Sequence, residues 1–187
     1  MKTAISNKIY SLEEYIQLDE SGEIRHEFIN GNLYEMSGAT RDHNKICGSI
    51  YIFLRFLSES KGFEVFMENM KLKIQGENKY FYPDVFVTKE PQTDANLYFQ
   101  EHPEIIIEVS SPSTRIYDAV EKFLQYRKID SLLYYILVEQ DKVLVTLYSR
   151  LNATEQWQSE IFISADDVIE LKTLQISLPV KTIYNLP

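Results

Sequence analysis

An apolar run of strand length leads directly into a turn rich in helix-capping residues in the sequence Ile105-Ile-Ile-Glu-Val-Ser-Ser-Pro-Ser-Thr114. A continuous apolar run of this length is typical of a buried strand. Ser, Thr and Pro at the following positions favour a turn that opens a helix. We therefore expect a buried strand followed by a helix over about residues 118–128, with its apolar residues, Val120 and Leu124 among them, facing a core. A single carboxylate, Glu108, interrupts the run, and it needs a partner there.

The flanking sequence carries further structural signals. Ser11 and Glu14 form a capping box that starts a short helix, Asn30-Gly31 predicts a tight hairpin, and an apolar period of three and four residues predicts a long helix that ends at Gly62. We expect helices at 11–18, 42–60, 118–128 and from about 179; strands at 24–29, 32–36, 63–67, 70–74, 80–88, 105–109, 132–138, 143–148 and 161–163; and a surface loop at 89–103. The three strands between 63 and 88 are expected to pair consecutively as antiparallel neighbours.

Composition limits the function classes. The 187 residues include 19 Lys and Arg against 28 Asp and Glu, a formal charge of −9, so the chain does not coat nucleic acid through bulk positive charge. Its 44% hydrophobic content supplies the core of one α/β (α+β) domain over residues 1–187. Cys47 is the only cysteine, so no intrachain disulfide forms, and no run approaches the about 20 apolar residues of a membrane span. We expect a cytoplasmic protein that does not contact membranes.

Two carboxylates lie in apolar surroundings, Asp84 after Pro83 and Glu108 within its strand. Removing them from water is costly unless they are paired or bind a metal. If their strands are neighbours, both carboxylates can reach one cation, and oxygen ligands suit Mg²⁺ or Mn²⁺. Three dispersed histidines and one cysteine argue against a histidine-based zinc site.

Asp118, Lys122 and Tyr126 follow at four-residue steps, which places them on one helix face. Lys122 could point at the two carboxylates and there orient water and stabilise charge on a phosphate. The alternative is structural: Lys122 pairs with Glu108 or Asp118 and has no chemical role.

Together these residues resemble the Uma-two family of endonucleases. The resemblance rests on Asn30-Gly31 after Glu27, His43 at the start of a long helix, Tyr82-Pro-Asp-Val85, Ile107-Glu-Val-Ser-Ser-Pro-Ser-Thr114, Asp118, Lys122 and Tyr126, and it covers nearly the whole chain in the same order. It implies the fold of the PD-(D/E)xK restriction endonuclease-like superfamily, a mixed central sheet flanked by helices.

The resemblance also implies roles for individual residues. Asp84 and Glu108 would be the metal ligands, and Lys122 the catalytic lysine. The chain departs from the superfamily pattern at Ser110, where a lysine two positions after Glu108 would be expected, so the lysine has moved to the helix. Glu27 would be an accessory acid, or else an exposed strand carboxylate. His43 would contact a phosphate, or else be a neutral structural histidine; Asp118 and Tyr126 would be accessory.

Two functions compete at this point. One is a Mg²⁺- or Mn²⁺-dependent endonuclease that hydrolyses DNA, with a homodimer as a further expectation. The other is a catalytically silent nuclease-fold module that binds nucleic acid or protein, with its carboxylates held by Lys122. A modest basic rim is predicted from five residues, with ordinary solvated charges as the alternative: Lys71, Lys73, Arg115, Arg127 and Lys128.

Overall fold

A computed structural model describes residues 4–22, 24–36, 38–89, 97–112 and 114–186. The α-helices are α1 (Leu12–Ser21), α2 (Arg41–Lys61), α3 (Phe123–Tyr126) and α4 (Val180–Ile183). A π-helix (Tyr117–Lys122) precedes α3, and a 3-10 helix (Lys172–Leu174) lies near the C-terminus. The strands are β1 (His26–Ile29), β2 (Asn32–Glu35), β3 (Glu64–Met67), β4 (Lys71–Lys73), β5 (Lys79–Phe81), β6 (Val85–Thr88), β7 (Phe99–Gln100), β8 (Pro103–Ser110), β9 (Tyr134–Glu139), β10 (Val145–Ser149), β11 (Gln158–Phe162), β12 (Val168–Leu171) and β13 (Ile176–Pro179).

The central sheet has six strands in the order β11-β10-β9-β8-β6-β3. β8 and β9 are parallel, and the other neighbours are antiparallel. The sheet is therefore mixed, as expected, and the strand that contains Glu108 lies inside it. β6 and β8 are neighbours. This was the condition for Asp84 and Glu108 to reach one cation.

A second sheet has five strands in the order β2-β1-β5-β4-β7. The prediction of one strand over 80–88 is wrong, because Tyr82-Pro83-Asp84 separates β5 in this sheet from β6 in the central sheet. The expected pairing of consecutive strands is confirmed for β4 and β5, which are antiparallel neighbours. It is wrong for β3, which pairs with β6 and not with β4. Pro83 has no amide hydrogen for a ladder, which favours the break at this point.

Both faces of the central sheet are covered. Odd-numbered residues of β8, such as Ile105 and Ile107, pack with the buried face of α2 and the C-terminal elements. On the opposite face, Ile106 packs with Phe81 of the second sheet and Tyr126 of α3. Glu108 belongs to this second face, because side chains alternate along a strand.

Several local predictions are confirmed. The Ser11 capping box starts α1, and Asn30 and Gly31 have φ angles of 49° and 87° in the first hairpin. Gly62 caps α2 in the left-handed conformation, and Pro179 precedes α4.

Two expectations need correction, and one hairpin was not predicted. The helix predicted at 118–128 is a π-helix followed by one turn of α-helix, so Val120 and Leu124 are exposed instead of buried. The hairpin of β12 and β13 was not predicted. The loop predicted at 89–103 contains β7 and the start of β8, and its residues 90–96 lie outside the described residues.

Within the described part of the chain, every helix falls short of the length or apolar character that a bilayer crossing requires.

Candidate active site

Glu108 is held by two donors from the helical segment that follows β8. The Lys122 ammonium donates to Oε1 and Oε2 of Glu108, at 2.9 Å each. The Tyr126 hydroxyl donates to Oε1, also at 2.9 Å. All three side chains are buried, so the carboxylate inside β8 has the charged partner that its position requires.

The π-helix brings Asp118 and Lys122 to the same interior. Lys122 Nζ lies 3.7 Å from Oδ1 of Asp118. The Ser110 hydroxyl donates to Oδ2 of Asp118 at 3.1 Å, and the Tyr135 hydroxyl donates to the Asp118 carbonyl at 2.9 Å. Ser110, two positions after Glu108, thus binds Asp118 at the start of the helical segment that carries Lys122.

Glu27 reaches this cluster from β1 in the second sheet. It is fully buried, so its alternative interpretation as an exposed strand carboxylate is wrong. Its Oε1 lies 3.4 Å from Lys122 Nζ, and the Tyr117 hydroxyl donates to its Oε2 at 2.9 Å. We name Glu27, Glu108, Asp118 and Lys122 the buried charge cluster. Sequence reasoning missed Tyr117, whose only signal is an aromatic side chain next to Asp118.

Asp84 lies in the bend before β6 and not within a strand, and its side chain is 20% exposed. Val85 pairs with Ile107, so the same register places Asp84 opposite Glu108. The Val109 amide donates to Oδ2 of Asp84 at 2.7 Å, and His43 Nε2 lies 3.3 Å from the same oxygen. His43 therefore contacts a proposed metal ligand.

Electrostatics join Asp84 to the buried charge cluster. Burial raises the pKa of Glu108 well above its usual value; Lys122 opposes this shift, and the charges of Asp84 and Asp118 add to it. Burial alone would lower the pKa of Lys122, but the charges of Glu108 and Glu27 outweigh burial and raise it well above its usual value. Lys122 therefore remains an ammonium, whereas burial and the neighbouring carboxylates act against ionisation of Glu108.

The net charge of the site is negative and would be reduced by a bound cation. When all are ionised, the four carboxylates and the ammonium of Lys122 together carry a formal charge of −3. The carboxylates are those of Glu27, Asp84, Glu108 and Asp118. Among the ion pairs of the described residues, Lys122 has three carboxylate partners, and Asp84 is not one of them. The silent-module hypothesis requires Lys122 to bridge both proposed metal ligands. The lysine pairs with Glu108 but not with Asp84, so this requirement is not met.

The predicted basic rim is largely neutralised by neighbouring carboxylates. Lys71 pairs with Asp19 at 2.6 Å and Lys73 with Glu101 at 2.7 Å. Arg115 pairs with Glu139 and Asp141, and Lys128 with Glu77 at 2.8 Å. Of the five residues, Arg127 alone lacks a described ion pair and is exposed. The rim is therefore weaker than the sequence indicated.

A second set of potential metal ligands lies beside the buried charge cluster. One ligand atom each from His43, Cys47 and Asp84 lie within 4.8 Å of one another. The spread of the histidines along the sequence predicts no histidine-based zinc site, but it does not reveal that His43 and Cys47 lie one helical turn apart and face Asp84.

Comparisons with known proteins agree with the fold. The family model of Uma2, described as "Putative restriction endonuclease", matches residues 12–181. Two uncharacterized proteins of Synechocystis sp. (strain ATCC 27184 / PCC 6803 / Kazusa) are similar: slr1290 is 35% identical over 177 residues, 94% of this chain and 91% of the relative, and sll1609 is 31% identical over 178 residues, 94% of this chain and all of the relative.

A solved structure is similar over almost the same extent. It is the crystal structure of "a putative nuclease belonging to DUF820" from Anabaena variabilis ATCC 29413, with a TM-score of 0.75 and 17% identity over 94% of this chain and 97% of that chain. This similarity confirms the predicted restriction endonuclease-like fold. Because the family model covers residues 12–181 and both Synechocystis relatives match over nearly their full lengths, the chain belongs to the Uma2 family of restriction endonuclease-like proteins.

Proposed function

We propose that this Uma2 protein is a divalent-metal-dependent endonuclease that hydrolyses phosphodiester bonds in DNA. The observation that supports it most directly is the buried ammonium of Lys122, bonded to Glu108 at 2.9 Å, in a cluster with excess carboxylates next to Asp84. The family description supports nuclease activity in general; DNA as substrate and the residues below are our proposal.

Asp84 and Glu108 would hold the metal ion, Mg²⁺ or Mn²⁺. Both offer oxygen ligands, which these ions prefer. Glu108 lies in β8, and Asp84 lies opposite it in the bend before the neighbouring strand β6, in a region of net negative charge. The residues present therefore fit a hard cation. When bound, such an ion polarises a phosphoryl oxygen and stabilises the charge that develops on it.

The chain's own groups would perform the remaining work. Lys122 stays protonated, so its ammonium orients the attacking water and stabilises the phosphate in the transition state. Tyr126 and Tyr117 hold Glu108 and Glu27 as hydrogen-bond donors, which fixes these carboxylates around the lysine. His43 positions Asp84, and Asp118 anchors the helix that supplies Lys122.

Metal binding and cleavage test the proposal together. In calorimetry with Mn²⁺, the wild type should release binding heat, and Asp84→Asn should lose it; this variant is preferred because the side chain is partly exposed. Glu160→Gln, an exposed carboxylate on β11, is the matched control and should bind normally. Plasmid cleavage with Mg²⁺ or Mn²⁺ should follow the same order. Unchanged heat in both Asp84→Asn and Glu108→Gln would refute the metal site.

The silent nucleic-acid-binding module remains a second candidate, because Lys122 already contacts both oxygens of Glu108. It predicts DNA binding without cleavage and without Mn²⁺ heat. Cleavage that is lost in Lys122→Ala, with retained circular dichroism, would eliminate it; cleavage that survives this substitution would instead contradict the role proposed for Lys122.

A further inference from the structure

His43 and Cys47 face Asp84 with the spacing of a mixed metal site. They lie four residues apart on α2, so their side chains project from the same face of the helix. Cys47 Sγ lies 3.5 Å from His43 Nδ1 and 4.0 Å from Nε2, and Nε2 lies 3.3 Å from Oδ2 of Asp84. Nitrogen, sulfur and oxygen ligand atoms therefore already converge.

These separations agree with zinc coordination. Zinc bonds of about 2.0–2.3 Å in a tetrahedral arrangement hold neighbouring ligand atoms roughly 3.3–3.6 Å apart. The distance of 3.3 Å between His43 Nε2 and Asp84 Oδ2 lies in this range. Cys47 Sγ lies 4.0 Å from the same nitrogen, so coordination through Nε2 needs the thiol to approach it by about 0.4 Å. Three protein ligands also leave the fourth position open, as in zinc sites that bind water or substrate.

The surroundings favour a positive charge at this point, because the carboxylates of Asp84 and Glu68 both act electrostatically on Cys47. Binding of a thiophilic ion replaces the Cys47 thiol proton, which is released to solvent.

We propose that His43, Cys47 and Asp84 bind a thiophilic divalent cation such as Zn²⁺, and that this ion competes with Mg²⁺ for Asp84. The inhibition rests on the proposed nuclease function, whereas the binding does not. Sulfur and nitrogen ligands select zinc over magnesium, so micromolar zinc would hold the enzyme inactive in the presence of millimolar magnesium.

Cobalt titration tests the binding independently of activity. Co²⁺ added to the full chain should produce the near-ultraviolet band of a thiolate-to-cobalt bond and the visible bands of tetrahedral cobalt, and Zn²⁺ should remove both. Cys47→Ser should lose the near-ultraviolet band, and His43→Gln should weaken cobalt binding at least tenfold. Glu108→Gln should keep the band, since Glu108 is not a ligand of this site.

The outcomes separate this proposal from the nuclease proposal. Absence of the near-ultraviolet band in the wild type, or its persistence in Cys47→Ser, would overturn the thiophilic site. Cys47→Ser should retain Mn²⁺ heat and cleavage while its inhibition by Zn²⁺ falls at least tenfold; unchanged inhibition would also overturn the proposal. Failure of Mn²⁺ binding with an intact cobalt band would refute only the nuclease site.

A different observation supports a self-association surface on α2. On the face away from the sheet, Ile52 is 69% exposed and Phe56 is 86% exposed. They lie one turn apart on a ridge that begins at Lys45 and ends at Glu59. Gly48 lies on the same side, and a Cβ atom built on it meets no atom within 4 Å.

This ridge is complementary to itself in an antiparallel arrangement. If a two-fold axis passes through Ile52, a residue a given number of positions before Ile52 in one copy lies opposite the residue the same number of positions after it in the other copy. Lys45 then faces Glu59 of a second copy, which pairs opposite charges, and Phe56 faces the open space over Gly48 of that copy. Both contacts occur twice, as an isologous interface requires.

We infer that two copies of the chain pair through α2 about this axis. Light scattering after gel filtration should give twice the mass of the chain, and Phe56→Glu should give the monomer. Lys45→Glu and Glu59→Lys should each weaken the dimer at least tenfold, and the double variant should restore it. A monomeric wild type at micromolar concentration, or a double variant weaker than either single one, would overturn this inference.

Discussion

Lys122 shows how far single residues could be predicted from sequence. The lysine, Glu108 and Tyr126 were identifiable because a carboxylate in an apolar run needs a partner and four-residue steps share a helix face. Glu27 was ambiguous, since a short strand with polar neighbours does not reveal which face is buried. Cys47 was missed as a ligand, because its neighbour Asp84 comes from a distant part of the chain.

Removal of the lysine should destabilise the fold. Lys122→Met leaves Glu108 and its neighbouring carboxylates buried without their ammonium, and we expect the free energy of unfolding to fall by about 3–5 kcal/mol. Urea denaturation measures this change. The exposed Lys142→Met should stay within about 0.5 kcal/mol of the wild type. Adding Glu108→Gln to Lys122→Met should recover part of the loss; no recovery would indicate that the two side chains are not coupled.

The importance of the lysine's position can be tested by removing Lys122 and introducing a lysine at Ser110. Ser110 points to the same sheet face as Glu108, two residues away. In a Lys122→Ala background that has lost cleavage, Ser110→Lys should restore at least a tenth of the wild-type rate, because only the location of the ammonium matters. Plasmid cleavage provides the measurement, with Ser110→Met as the control for size. Equal rates for the lysine and methionine variants would contradict this explanation.

At the scale of elements, the π-helix was the main feature that the sequence did not predict. The period of apolar residues indicated an α-helix with Val120 and Leu124 inside, whereas both are exposed. A π-helix has wider turns than an α-helix, is rare and is frequently found at functional sites. In this chain it contains the buried residues Asp118 and Lys122. Capping and turn signals were reliable because they depend on neighbouring residues only.

The C-terminal helix should respond to alkaline pH through Tyr184. Its hydroxyl donates to the Leu144 carbonyl and accepts from the Leu144 amide, each at 3.0 Å, so Tyr184→Phe should cost about 1 kcal/mol at neutral pH. Burial raises the pKa of Tyr184 to about 12 from 10.0. The unfolded chain therefore loses this proton first, and the stabilisation is lost as pH rises from 10 through 12.

The measurement compares wild type and Tyr184→Phe by urea denaturation between pH 8 and pH 11.5. The difference in their free energies of unfolding should be constant up to about pH 10 and then narrow, since the variant lacks the titrating hydroxyl. Tyr98→Phe, at an exposed position, should show a constant difference throughout. A difference that widens above pH 10 would contradict the assigned direction.

At the scale of the whole molecule, the mixed central sheet was predictable and the division into two sheets was not. Apolar and aromatic patterns locate strands, but they do not say which strands pair. Tyr80 and Val85 lie five residues apart in one aromatic run and belong to different sheets. Pairing depends on contacts across long sequence separations, for which one sequence holds no direct signal.

The acidic net charge predicts how the proposed binding of DNA would depend on salt. With a net charge of −9 and most rim cations already paired, few phosphates can be neutralised, so the affinity should depend weakly on salt. We expect a slope of log K against log salt of about −3 or shallower, which corresponds to roughly three phosphate contacts. Fluorescence anisotropy with Lys122→Ala and labelled DNA measures it. A slope near −8 would contradict this prediction, because it would require a basic surface that is not found among the described residues.

The buried charge cluster draws on three parts of the chain: Glu27 from the second sheet, Glu108 from the central sheet and Lys122 from the helix between β8 and β9. None of these parts holds the cluster alone. A chain still emerging from the ribosome, or one that has opened locally, therefore lacks the complete cluster. Under the proposed function such a chain would not cleave DNA, and the host chromosome would be protected from incomplete copies without a separate inhibitor.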